Sequence, residues 1–167
     1  MSDDGALAAG SWPEGLYFFG ANGEATRIPM GEGVAALAFY GASHDLAFAT
    51  RRQISKIANA GSAGAISTLY QMGSLDPAGL ALSWDNQRLT LAQRTGGLLT
   101  LELGTGAISE FDCGCRPDGV FPMGTAVFRI TAFDGKTFRL FDPISGALFL
   151  VPAASERQAL LQQGGGQ

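Results

Sequence analysis

Four short stretches decide how this chain folds: GEATRI at residues 23–28, GAISTL at 64–69, GAISEF at 106–111 and GALFLV at 146–151. Each opens on glycine and runs on as a short, largely alternating apolar segment. The glycines follow one another at intervals of 41, 42 and 40 residues. Near-equal intervals mark a structural repeat, and a period of roughly 20–50 residues points to a solenoid, a propeller or an array. Glycine suits the opening position, because a tight turn between antiparallel strands often needs a positive φ.

Working outward, a second strand precedes each glycine: LYFF at 16–19, QISKI at 53–57, LLTLEL at 98–103 and TFRLF at 137–141. The connections GAN, ANAGSA, GT and DPIS are rich in turn-forming residues. Each pair therefore reads as a β-hairpin. Two further strands precede the hairpin in the later units, at 35–39 and 46–49, then at 79–84 and 88–92. In the last unit the segment 126–131 is clear and a shorter one lies near Val120 and Phe121. Asp134-Gly135 supplies a turn before the final hairpin. Four short strands in about 41 residues match one propeller blade.

The expected fold is all-β, a partial β-propeller of about three and a half four-stranded antiparallel blades. The half blade covers 15–30 and the full blades cover 34–70, 78–112 and 120–153. Residues 1–14 read as a flexible N-terminus and 154–167 as a C-terminal tail, with Ala153 to Gln163 suited to one or two helical turns. An antiparallel sandwich is the competing architecture, but it has no reason to show a four-strand superperiod. Propellers close with about four to eight blades. An unclosed stack exposes two apolar end faces, which is costly in water. Two copies would close a seven-bladed ring; otherwise further blades belong to a longer protein.

Composition narrows the function classes. Charged residues are 16% and apolar residues 46%, against about 25% charged in typical soluble domains. That excludes a disordered chain. The net charge is -4, and the 11 Lys and Arg form no run beyond Arg51-Arg52. A nucleic-acid footprint needs a clustered basic patch, so no nucleic-acid partner is expected. No apolar run reaches the roughly 18 residues of a membrane span. The opening MSDDGALAAGSWPEG is acidic and does not read as a secretory signal.

Laid out as units, residues 79–112 and 120–154 resemble blades of bacterial YVTN-type and NHL-like β-propellers. The pattern is an apolar strand, an Asp/Asn turn, a second apolar strand, then an acidic residue followed by Thr/Ser-Gly and a last strand. Glu102…Thr105-Gly106 and Asp142…Ser145-Gly146 carry it. The resemblance covers about residues 15 to 153. The second unit departs from it, since KIAN at 56–59 lacks the acidic residue, and the YVTN tetrapeptide is absent. The resemblance implies a binding module, with some members enzymes, and an extracytoplasmic location.

Candidate chemistry is sparse. Cys113 and Cys115 form a C-x-C, a candidate disulfide or redox pair; two thiolates could also supply half of a tetrahedral zinc site. His44 stands beside Asp45 in a turn, a pairing that could serve as a base with its orienter. The recurring loop aspartates Asp76, Asp85, Asp112, Asp118, Asp134 and Asp142 read as turn formers, since no D-x-D-x-D-G string holds them as a calcium loop. Trp84, at a strand end before Asp85-Asn86, reads as an aromatic anchor or as core. Trp84, His44 and Asp45 are therefore the candidate binding surface, and no catalytic, metal or cofactor residue is assigned. The function expected is a non-catalytic protein- or ligand-binding propeller module that closes by homo-oligomerisation or with missing blades. A propeller hydrolase or lactonase-like enzyme and a truncated fragment without independent activity are the alternatives.

Overall fold

The computed structural model describes residues 1–62, 64–132 and 137–152. They form fifteen strands in four antiparallel sheets, with one short 3-10 turn at Ala60–Ser62. Sheet 1 contains β1 (Leu7–Trp12), β2 (Gly15–Gly20) and β3 (Ala25–Pro29). Sheet 2 contains β4 (Ala36–Phe39), β5 (Leu46–Ala49), β6 (Gln53–Ile57) and β7 (Ile66–Gln71). Sheet 3 contains β8 (Pro77–Leu82), β9 (Arg88–Gln93), β10 (Gly97–Glu102) and β11 (Ile108–Asp112). Sheet 4 contains β12 (Pro117–Pro122), β13 (Phe128–Ala132), β14 (Thr137–Asp142) and β15 (Ala147–Pro152). In every sheet the strands lie in chain order. The all-β architecture, the antiparallel blades and the unclosed arc agree with the repeat spacing.

Hydrophobic alternation decides how the sheets stack. Leu7, Leu16, Phe18 and Ile28 of sheet 1 meet Leu46, Phe48 and Ile57 of sheet 2. Ala47, Ala49 and Ile54, on the other face of sheet 2, meet Leu80, Leu82, Leu89, Leu91, Leu99 and Leu101 of sheet 3. Ala81, Ala92 and Leu98 of sheet 3 meet Val120, Phe128, Ile130 and Phe141 of sheet 4. Both faces of sheets 2 and 3 are thus covered, which is why their inner segments read as continuous apolar runs. Between sheets 3 and 4 the buried Thr90 and Thr100 hydroxyls bond each other at 3.2 Å across the strands.

The inner strands β8 and β12 approach backbone to backbone. A Cβ on Gly79 would lie 2.8 Å from the Val120 nitrogen. Both strands carry the same register shift, between Pro77 and Gly79 and between Pro117 and Gly119.

Two expectations are corrected at the N-terminus. Residues 7–12, placed in a loose end, form β1 along the whole of β2, from Leu7 opposite Gly20 to Trp12 opposite Gly15. The unit expected over 15–30 with two strands therefore has three. The signal was hidden because LAAGSW is poor in β-branched and aromatic residues. It was nonetheless present in the turn before β1. The Ser2 N–H donates to the Leu7 carbonyl at 2.8 Å, and the Leu7 N–H donates to Ser2 Oγ at 2.9 Å. Ser2 Oγ donates to Asp4 Oδ1 at 2.7 Å, and the Ala6 N–H donates to the same oxygen at 2.9 Å. Ser83, Asp85, Gln87 and Arg88 repeat these four bonds between β8 and β9 at 2.9, 2.9, 2.6 and 3.0 Å. Gly5 and Asn86 take the matching positive φ, 69° and 56°. Residues 2–7 thus fold like the turn between β8 and β9. By this match β1, β2 and β3 stand in sheet 1 where β9, β10 and β11 stand in sheet 3.

Of the four recurring glycines, Gly23, Gly106 and Gly146 have φ of 82°, 73° and 73°. Gly64 does not need that conformation. A Cβ there would overlap the Ala58 carbonyl oxygen, so close packing requires its glycine. The Asp134-Gly135 turn and the tail at 153–167 lie outside the described residues.

Candidate functional site: the turn rim and the channel mouth

The turns joining first and second strands gather on one edge of the arc and clasp one another. His44 Nε2 meets Asp4 Oδ2 at 3.0 Å, linking sheets 1 and 2. Between sheets 2 and 3, Asn86 Oδ1 accepts the Gly41 N–H at 2.9 Å, and its Nδ2 donates to the Gly41 carbonyl at 3.1 Å. Sheets 3 and 4 are linked by the Trp84 N–H on the Gly124 carbonyl at 3.1 Å and by Arg88 Nη1 on the Thr125 carbonyl at 3.2 Å. Arg88 Nε also donates to Glu102 Oε1 at 2.5 Å, which orients the guanidinium.

All three residues expected on a binding surface sit on or beside this rim. The structure separates His44 from Asp45. Asp45 bonds Lys56 Nζ at 2.6 Å and accepts the Asn59 N–H at 2.9 Å. The Lys56 ammonium holds the Asp45 carboxyl below the usual range. The same ammonium lies over the Tyr40 ring, 4.5 Å from its centroid. Asp45 is thus a partner of Lys56, and the residue facing His44 is Asp4. Hydrogen bonds from the Ser2 hydroxyl, the Ala6 N–H and His44 bring the exposed Asp4 carboxyl down to about 2. Sequence reading missed Asp4, although the S-x-D spacing shared by residues 2–4 and 83–85 points to it.

Trp84 is 68% exposed. It borders a depression of about 170 Å³ where the inner strand ends Phe39, Leu82 and Pro122 meet, with Asp3 on the far side. A second depression of about 340 Å³ is lined by Asp3, Asp4, Ser43 and His44. The rim therefore presents an indole, a carboxylate pair and an imidazole around an apolar mouth.

The channel wall itself is poor in chemistry. Ala36, Ala78, Gly79 and Val120 line it, with Ser11 and Asp118 as its polar groups. The Thr131 hydroxyl is hydrogen-bonded to Asp118. Among the described residues no group of three or more His, Cys, Asp or Glu side chains comes together to hold a metal.

Cys113 and Cys115 are joined as a disulfide in the connection from β11 to β12, with Cα atoms 5.2 Å apart. Gly114 between them has a φ of 55°, which helps so short a loop to close. Cys113 is buried against the sheet 3–sheet 4 core, and its N–H donates to the Gly96 carbonyl at 3.0 Å.

The two ends of the arc are exposed and aromatic. On the open face of sheet 1, Trp12 lies 5.1 Å from Tyr17 and 6.1 Å from Phe19, ring to ring. Arg27 lies over Tyr17 at 5.9 Å. On the open face of sheet 4, Phe121, Arg129, Leu140 and Phe149 stand in one cross-strand row. Arg129 lies over the Phe121 ring at 4.9 Å, and its buried Nε has no hydrogen-bond partner among the described residues. Phe149 is 60% exposed.

With this geometry in place, the chain can be set beside known proteins. No family model matches it, and no curated protein matches it. Solved structures do. One is titled "Streptogramin B lyase structure", with a TM-score of 0.68 and 16% identity, covering 85% of this chain and 49% of that one. A second, "Crystal structure of Nidogen/Laminin Complex", has a TM-score of 0.75 and 12% identity, covering 93% and 63%. A third, "Crystal Structure of Mitotic Checkpoint Complex", has a TM-score of 0.70 and 16% identity, covering 92% and 49%. These likenesses show the fold, a β-propeller-like repeat. The chain spans about half the length of two of these structures and under two thirds of the other. Among the described residues no helix is long and apolar enough to cross a membrane.

Proposed function

We propose that this chain is a non-catalytic binding module that closes its propeller by pairing with a second copy, and that the turn rim around Trp84 receives the ligand or partner. The observation that carries the reading is the pair of exposed aromatic end faces. The apolar alternation that covers both sides of sheets 2 and 3 continues onto outer faces where Trp12, Phe19, Phe121 and Phe149 stand exposed. Burying an aromatic side chain contributes about 1.5–3 kcal/mol, so docking one end onto another is strongly favoured. Two copies of four sheets make eight, within the roughly four to eight blades of closed propellers. A channel lined by alanine and glycine supports binding at the rim rather than chemistry inside. The disulfide fits an oxidising compartment and supports an extracytoplasmic location.

A mixing experiment tests the closure. Tyr17→Asp spoils the sheet 1 end and Phe149→Asp spoils the sheet 4 end. Each variant alone should run as a monomer or weak dimer. Mixed, they share one intact end-to-end contact and should recover association. If Phe149→Asp dimerises like the wild type while Tyr17→Asp does not, sheet 1 pairs with sheet 1 and the head-to-tail ring is wrong.

A further inference from the structure

The four turns of the rim open on the same backbone bond. The N–H of Ser2, Tyr40, Ser83 and Met123 donates to the carbonyl of Leu7, Asp45, Arg88 and Val127 at 2.8, 2.9, 2.9 and 2.8 Å. The residue that follows is therefore equivalent in all four: Asp3, Gly41, Trp84 and Gly124. Gly41 comes between Asp3 and Trp84 in this series and leaves a gap there. A Cβ on it would lie 3.0 Å from Asp3 Oδ2 and 3.6 Å from Asn86 Nδ2. The gap opens into the depression of about 170 Å³ over Phe39, Leu82 and Pro122. We propose that this depression receives a lysine side chain of a basic peptide, its alkyl stem on the apolar floor and its ammonium between the Trp84 ring and the Asp3 carboxylate. The proposal deepens the reading above, which puts the ligand at this rim, and rests on it.

Charge selects the occupant. Asp3 is exposed, and its carboxylate has no hydrogen bond or ion pair among the described residues. The other carboxylates of these turns are engaged: Asp4 by Ser2, Ala6 and His44, Asp45 by Lys56 and Asn59, Asp85 by Ser83 and Gln87. The cations on this edge are engaged as well, Lys56 with Asp45 and Arg88 with Glu102. Asp3 is thus the rim carboxylate left for a cation from outside the chain.

The aromatic side tells the same story. Tyr17, Tyr40 and Phe121 each carry a cation of the chain over the ring, from Arg27, Lys56 and Arg129. Trp84 has neither a cation nor a ring partner among the described residues, although indole is the ring that attracts a cation best. The floor supplies the rest. Lysine lays its methylenes along apolar surface while its ammonium stays at the wet edge, which suits an apolar depression with a carboxylate on one side. An acidic side chain would meet the charge of Asp3, and a purely apolar one would leave that carboxylate unused. Asn86, held by its two bonds to Gly41, keeps the near wall in place.

The test titrates the isotope-labelled full chain with two blocked tripeptides, glycyl-lysyl-glycine and its norleucine counterpart, which keeps the stem and drops the ammonium. Nuclear magnetic resonance reads the indole N–H signals of the two tryptophans and the Gly41 amide. The expected result is saturable movement at Trp84 and Gly41 with the lysine peptide, none at Trp12, and binding of the norleucine peptide at least fivefold weaker. Asp3→Asn should weaken the lysine peptide at least threefold and leave the norleucine peptide unchanged. Gly41→Leu fills the gap and should abolish binding of both. If circular dichroism shows that this variant is unfolded, Trp84→Ala, read at the Gly41 amide, should weaken the lysine peptide at least threefold instead. Signals at Trp84 and Gly41 that stay still with both peptides overturn the proposal. So does a lysine affinity indifferent to Asp3→Asn, or movement of Trp12 in step with Trp84. Equal binding of the two peptides at Trp84 refutes the cationic occupant while sparing the rim as the binding surface.

Discussion

At the scale of the residue, Gly106 and Gly146 share one φ, 73°, but not one environment. A Cβ on Gly106 meets nothing within 4 Å, whereas on Gly146 it would lie 2.7 Å from the Phe111 ring. The left-handed conformation alone costs a non-glycine residue about 1–2 kcal/mol. Gly106→Ala should therefore cost about that much in chemical denaturation. Gly146→Ala should cost about 1–3 kcal/mol more, because Phe111 must move. Equal losses would mean that Phe111 does not pack there. Tyr40 offers a pH test. Burial first, then the charge of Asp45, pushes its phenol up to about 12 from 10.0. A raised folded pKa gives stability that is full below the unfolded value and lost as pH rises through about 12. Tyr40→Phe should flatten this part of the alkaline decline in melting temperature above about pH 10. An unchanged decline would sink the assignment. Ser55 is fully buried, and its hydroxyl has no partner among the described residues. Ser55→Ala should be neutral or stabilising by up to about 1 kcal/mol; a loss would reveal a hydrogen bond to that hydroxyl.

At the scale of the element, the turns do the joining. Asn86→Gly keeps the positive φ of 56° but removes both side-chain bonds to Gly41. It should cost about 1–2 kcal/mol, read by denaturant midpoint, and a neutral result would mean that the clasp between sheets 2 and 3 is incidental. The disulfide predicts no titratable thiol in the native chain and two after reduction. The hairpins were legible in the sequence because turn chemistry is local: Asp142 accepts from Ile144, Ser145 and Gly146, all within four residues. Strands β5 and β6 lie where their apolar runs put them. β1 was not legible from its own residues, since Ala8, Ala9 and Gly10 have little strand preference of their own and owe their conformation to pairing with β2. The rim followed the same division. That His44 and Trp84 lie in turns could be read locally. That His44 faces Asp4 across 40 residues could not.

At the scale of the whole molecule, four sheets fan around one axis and stop short of a ring. Trp12, Tyr17 and Phe19 cover one end, and Phe121, Leu140 and Phe149 the other. Either end alone would be an ordinary apolar patch; in the proposed pair they are the two halves of one contact, made twice. Its closure also decides whether Trp84 stands on an edge or around a complete channel mouth. The mass of the chain in solution, by light scattering across a dilution series, tests this most directly. The account predicts a particle of twice 17.3 kDa that dissociates only on strong dilution. A cooperatively unfolding monomer of 17.3 kDa at every concentration would contradict it.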